Sequence, residues 1–142
     1  MDPLSITVGI LTILGAGGQV CKGLQRLTAL SNAPAALAAL NNEVADIHCV
    51  VQEVHDLARQ YQDTYSRPVR SSVCRALERV KEIVLMLEQL IAHELTQFDS
   101  RTGQLKLQRS AWMRSEHKVK ELQERTRSNR INLAAALSVL TS

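Results

Sequence analysis

The sequence predicts an all-α protein, a four- to five-helix bundle with a hydrophobic, Gly-rich N-terminal helix. Three observations predict it. Aromatic residues make up 3% of the chain and there are three prolines, so the residue types that favour strands and tight turns are scarce. Five of the six glycines stand at or before Gly23, which leaves later segments almost without glycine breaks. Apolar residues recur in steps of three and four over most of the chain, the period of a helix that buries one face. With 142 residues, 45% of them hydrophobic and 22% charged, the chain is long enough for one core, and residues 1–142 read as one domain.

The first helix is expected over residues 3–31, with Asp2 as its cap and Pro3 in the tolerated first turn. From Pro3 to Cys21 there is no charged residue. As a helix, that stretch is about 28 Å long, close to the hydrocarbon thickness of a bilayer. Its large aliphatic residues favour a bilayer by roughly 2–5 kcal/mol together, and its glycines, threonines and Gln19 oppose that. A buried core helix and a conditional membrane segment are both readings of this composition. Each glycine also weakens the helix in water by about 0.8–1 kcal/mol relative to alanine. Ser5, Gly9, Thr12 and Ala16 fall on one helical face, and such a run of small side chains allows a second helix to approach closely.

A second helix is expected over 33–65. Leu37, Leu40, Val44, Ile47, Val51, Val54, Ala58 and Tyr61 alternate steps of three and four, the seam of a bundle or coiled coil. Its opposite face is acidic. A third helix, over 69–98, carries Val73, Leu77, Val80, Val84, Leu87 and Ile91, widened by Ile83, Leu90 and Leu95. A stripe so broad implies contact with more than one neighbour. Residues 99–109 read as an exposed, mobile loop turning at Thr102 and Gly103. The last helix is expected over 110–140, on Val119, Leu122, Thr126, Asn129, Leu133, Ala136 and Leu140, with Thr126 and Asn129 as a kink or an interhelical polar layer. Short breaks between long helices favour an up-down topology.

The net charge of +3 is unevenly spread. Residues 32–65 hold five acids against Arg59, and residues 99–142 hold nine bases against four acids. The basic third suits an anionic partner. Nucleic acid is disfavoured, because Trp112 is the single aromatic residue there and single strands need stacking platforms. Cys21, Cys49 and Cys74 lack metal or redox spacing and suit buried thiols in a reducing compartment. A secretory signal is disfavoured by Asp2 and the absence of a basic residue before the apolar run.

Catalysis and cofactors find no support. Gly15, Gly17, Gly18 and Lys22 fail the order GxxxxGK[ST], and Val20 stands where a dinucleotide fingerprint needs its third glycine. His48 and His55 lie seven apart with no further ligand to complete a zinc set. No nucleophile, base and acid form a recognisable set. The expectation is therefore a protein that is not an enzyme and has neither cofactor nor metal.

Two ends of the chain carry a family likeness. The opening MDPLSITVGILTIL, running into a glycine-rich helix, resembles the start of the N-terminal domains of fungal STAND proteins, the NOD-like receptors of fungi. Trp112, Glu116, Lys118, Val119 and Leu122, then Arg130, Asn132, Leu133, Ala136 and Leu137, resemble their final helix. The resemblance implies a HeLo-like domain, a helical bundle related to the executioner domain of the mixed-lineage-kinase-like pseudokinase. It implies a cell-death effector, linked to heterokaryon incompatibility and innate immunity, that is cytoplasmic at rest. Clustering by a NOD-like receptor partner would release the N-terminal helix to the plasma membrane. On that analogy Ile6, Val8, Gly9, Ile10, Leu11, Ile13 and Leu14 are the membrane-insertion residues. Arg101, Lys106, Arg109, Arg114, Lys118 and Lys120 are the expected contacts to anionic membrane lipids, and self-association to a homo-oligomer is expected. The alternative is a non-lytic helical oligomerisation and docking module, with protein partners instead of lipid.

Overall fold

The computed structural model describes residues 3–30, 33–61, 67–98, 105–107 and 109–141. Four long helices, α1 (Pro3–Thr28), α2 (Ala35–Tyr61), α3 (Arg67–Gln89) and α4 (Arg109–Thr141), form a helical bundle. A π-helical stretch, Leu90–Leu95, continues α3, and two three-residue strands follow, β1 (Thr96–Phe98) and β2 (Leu105–Leu107). The expected cap Asp2, the end of the second helix expected at residue 65 and the turn at Thr102 and Gly103 lie outside the described residues.

α1 ends by tightening. Ala29 N–H donates to the Gln25 carbonyl at 3.1 Å, and Leu30 N–H reaches only three residues back, to Leu27, at 3.2 Å. The Thr28 hydroxyl donates to the Gln25 carbonyl as well, at 3.1 Å, so carbonyls that the helix end would leave unpaired are partly satisfied. Ala33 N–H then donates to the Leu30 carbonyl, and the Pro34 carbonyl accepts from Leu37 at the start of α2. This short connection folds α2 back onto α1.

One core runs through the bundle. Ile10, Ile13, Val20, Leu24 and Leu27 enter it from α1, and Leu37, Leu40, Val44, Ile47, Val51 and Val54 from α2. The α2 seam is thus buried in the register that the three-four spacing predicts. α3 and its π-helical continuation contribute Val73, Ala76, Leu77, Val80, Ile83, Val84, Leu87, Leu90, Ile91 and Leu95. That wide stripe meets two neighbours, α1 and α4. α4 gives less, with Val119, Leu122 and Leu133 buried together with Thr126.

The order around the bundle departs from a simple up-down arrangement. α1 packs on α2 and α3, and α4 also packs on α2 and α3. α1 and α4 therefore sit across a diagonal, and so do α2 and α3, although these last are consecutive in sequence. The broad face of α3 explains the order, since it needs two partners while the narrower α2 seam is completed by α1 and α4.

The third helix also ends differently from the expectation over 69–98. It begins at Arg67, with Pro68 in the first turn, where its missing N–H costs nothing. After Gln89 the backbone widens into the π-helical stretch, which keeps Leu90, Ile91 and Leu95 all buried. Thr96–Phe98 then leaves helical structure altogether and pairs antiparallel with Leu105–Leu107, Thr96 opposite Leu107 and Phe98 opposite Leu105. Threonine and phenylalanine are strand formers, and the pairing outweighs the apolar period that placed them in a helix. Part of the stretch read as a loop, residues 105–107, is accordingly strand.

The polar interruption of α4 is not a layer between helices. The Thr126 side chain is fully buried, and its hydroxyl donates to the Leu122 carbonyl of the same helix at 2.6 Å. Asn129 Nδ2 donates to the Arg125 carbonyl at 2.8 Å. Both groups are satisfied one turn back along α4, so neither selects a partner helix.

Candidate functional site

The seven residues expected to insert lie on α1, which the bundle divides into two faces. Ile10 and Ile13 are buried, at 0% and 3% exposure, whereas Val8 and Leu11 are 58% and 54% exposed. Gly9 and Leu14 lie half-buried at the boundary, and the Ile6 side chain lies outside the described residues. The outward edge continues through Thr12, Gly15 and Gln19 and carries no charge before Lys22. Thr12 hides part of its polarity by donating to the Val8 carbonyl at 3.0 Å.

Of the small-residue face expected at Ser5, Gly9, Thr12 and Ala16, Ala16 packs against the core, and the Ser5 side chain lies outside the described residues. A Cβ at Gly9, Gly15 or Gly18 would meet nothing within 4 Å, and Thr12 is exposed. Close approach happens instead at Gly17 and Gly23. A Cβ at Gly17 would stand 3.1 Å from His48 Nδ1 on α2, and one at Gly23 would stand 2.9 Å from Ile91 Cγ2 on the π-helical stretch. Helix period alone did not select these two, because the neighbours that crowd them come from distant parts of the chain.

Three of the six expected lipid contacts have described side chains. The side chains of Arg101, Lys106 and Arg109 lie outside the described residues. Arg114 is exposed. Lys118 Nζ lies 3.3 Å from Glu94 Oε1, and Lys120 Nζ lies 3.2 Å from Glu116 Oε1, so both of these bases already face a carboxylate. Such exposed pairs stabilise the fold weakly, and each sets an acid beside a base. α4 also stands diagonally across from α1. Among the described residues, Arg114, Lys118 and Lys120 therefore do not share one face of a single bundle with the apolar edge of α1.

A less exposed ion pair ties α4 to α2. Arg130 Nε donates to Glu43 Oε2 at 3.1 Å, with the side chains 28% and 17% exposed. One turn earlier, Arg125 Nη1 donates to Met86 Sδ at 3.4 Å across the α3–α4 seam. Arg130→Ala is expected to lower stability by about 1–2 kcal/mol, since it strands the Glu43 carboxylate without its partner. The urea midpoint of unfolding checks this, and Glu43→Gln in the same background should restore part of the loss.

The cysteines are thiols. Burial pushes the Cys21 thiol up, and the neighbouring Cys49 adds to the shift. Cys21 is not primed as a nucleophile by that environment. Among the described residues, no group of His, Cys, Asp and Glu is arranged to hold a metal ion, and no helix is long and apolar enough to cross a membrane.

Family models, curated proteins and solved structures give no match to this chain.

Two magnitudes decide what α1 can do on its own. Burying Ile10, Ile13, Val20, Leu24 and Leu27 is worth roughly 8–15 kcal/mol, as an upper bound, at about 1.5–3 kcal/mol per side chain. The bilayer offers the aliphatic residues of the Pro3–Cys21 stretch roughly 2–5 kcal/mol. A single bundle at rest thus retains α1, and departure of that helix requires a second source of free energy.

Proposed function

We propose that this chain is a conditional, membrane-directed signalling domain of the HeLo-like group, serving cell death in a NOD-like-receptor system of the fungal type. Clustering of copies supplies the free energy that a lone bundle lacks, and α1 then turns its apolar face to anionic lipid. The observation that carries the reading is the outward edge of α1, where Val8 and Leu11 stand more than half exposed on a stretch without charge. An ordinary core helix places polar residues there. Engagement in the plane of the interface suits such a helix better than a single-helix crossing, given that no described helix is long and apolar enough to cross. Arg114, Lys118 and Lys120 add attraction to anionic lipid at about 1 kcal/mol per base near the surface, and their diagonal placement from α1 makes them useful once α1 has moved or neighbouring copies present them.

The same structure supports a clean test. Gly9 has open space around it and Leu11 is exposed, so Gly9→Glu and Leu11→Lys leave the resting bundle in place. Dye release from anionic vesicles by the artificially clustered domain is expected to fall about tenfold or more in either variant, as a charge set into the apolar face opposes its burial at the acyl boundary. Undiminished release by both variants would sink the α1 mechanism.

The non-lytic docking module draws on a different observation, the large core contribution of α1, which is the mark of a helix built to stay. On that reading the clustered domain releases no dye from any vesicle, and charge substitutions at Asp46, Glu53 and Asp56 on the exposed face of α2 abolish capture of its protein partner.

A further inference from the structure

Exposed residues of α1 recur at Val8, Leu11, Gly15, Gln19 and Lys22, in steps of three and four that set them in one stripe on the side turned away from the bundle. The stripe changes character along its length. Its first part is apolar, with Val8 and Leu11 more than half exposed. Its middle is bare, since a Cβ at Gly15 or Gly18 would meet nothing within 4 Å. Its last part is basic, because Lys22 is exposed and forms no ion pair among the described residues. α1 itself holds no acid from Pro3 to Thr28. The nearest helix supplies one. α2 runs back along α1, and His48 lies about level with Gly17, where a Cβ would stand 3.1 Å from Nδ1. Counting from that contact in opposite directions along the two helices brings Asp56 level with Gly9, beside the apolar end of the stripe. The Asp56 side chain is 69% exposed, and although its Oδ1 accepts from Gln52 Nε2 at 3.2 Å, a carboxylate retains further acceptor capacity.

We infer that two copies of this chain pair through the stripe, α1 against α1, antiparallel about a two-fold axis at Gly15. That rotation sets Val8 of one copy against Lys22 of the other, Leu11 against Gln19, and Gly15 against itself. The stem of Lys22 covers Val8 while its ammonium extends towards Asp56 of the second copy, and two-fold symmetry makes this contact twice. With no side chain at Gly15 the two backbones approach closely at the crossing, a role that this glycine lacks in the single bundle. Charge decides the orientation. A parallel pair would set Lys22 against Lys22 and Arg26 against Arg26, with no acid on α1 to offset either. The antiparallel pair holds the two Lys22 positions about 21 Å apart, beyond the screening length of about 8 Å at physiological salt, and brings each to the level of a carboxylate. The surface is thus complementary to itself, apolar and acidic at one end and basic at the other. One helix face is small beside a permanent interface, so the dimer is weak and reversible.

The pair covers at rest the edge that the membrane mechanism turns to lipid, but it does not rest on that mechanism. Its test reads mass in water, without lipid or any fused oligomeriser, so either can fail alone. Sedimentation of the whole chain is followed from micromolar to near-millimolar concentration. A reversible monomer–dimer equilibrium is expected. Gly15→Glu, at a position with open space in the single bundle, should leave the far-ultraviolet circular dichroism helical and the protein monomeric. Lys22→Asp and Asp56→Lys should each weaken the dimer about tenfold or more, since each sets like charges together across the contact, and the double variant Lys22→Asp/Asp56→Lys should recover most of the loss. That recovery is specific to the antiparallel register, because a merely structural effect of either substitution would persist in the double variant. A chain that stays monomeric throughout, a dimer indifferent to Gly15→Glu, or a double variant no tighter than the weaker single one each overturns the inference.

Discussion

Leu24→Ala is expected to lower the stability of this bundle by about 2–5 kcal/mol, against less than about 0.5 kcal/mol for Leu11→Ala. Both remove the same atoms from the same helix. Leu24 has no exposed surface, so its truncation loses the transfer free energy of the side chain and leaves a cavity in the core that the surrounding side chains fill only in part. Leu11 is 54% exposed, and truncation there removes little that the fold had buried. Thermal unfolding followed by circular dichroism checks the contrast, with a fall of roughly 10 °C or more for Leu24→Ala. If the two variants melted together, α1 would not be seated as described. Vesicle leakage by clustered protein should rank the pair in the opposite sense, Leu11→Ala reducing it and Leu24→Ala lowering the degree of clustering that it requires.

The triple variant Gly9→Ala/Gly15→Ala/Gly18→Ala is expected to gain about 2–3 kcal/mol. All three positions have open space where a Cβ would go, and each alanine recovers about 0.8–1 kcal/mol of helix propensity. Gly23→Ala makes the control. Its Cβ would come within 2.9 Å of Ile91 Cγ2, on a β-branched, buried side chain whose rotamer is stiff. Overpacking of about 1–3 kcal/mol there cancels or exceeds the gain in propensity. Urea unfolding of the two variants should therefore shift in opposite directions, the triple upward and Gly23→Ala downward or not at all. Three glycines with no packing duty make α1 weaker than it need be. If the weakness serves release, the stabilised triple variant will need denser clustering before it damages vesicles, and unchanged leakage would detach the glycines from function.

Much of the bundle was legible in the sequence because the apolar period is a local property. The steps of three and four in Leu37–Val54 and Val73–Leu87 name the buried side chains of α2 and α3 nearly one for one, since a helix must bury whichever face repeats at 3.6 residues. The functional residues were legible only in part. An uncharged, glycine-bearing α1 was apparent, but its period could not say that Val8 and Leu11 would face outward while Ile10 and Ile13 faced in, because all four are equally apolar.

The chain by itself determined that the protein is helical, where its long helices lie, and that its charge separates into an acidic α2 and a basic C-terminal third. Tertiary structure decided the rest. It placed α3 beside α1 and α4 and not beside α2, set Gly17 and Gly23 as the points of close approach, turned Thr96–Phe98 from helix to strand, and laid His48 over Gly17. Each of these depends on which side chains from remote segments share one volume, and a local hydrophobic period records that a face is buried without recording what buries it.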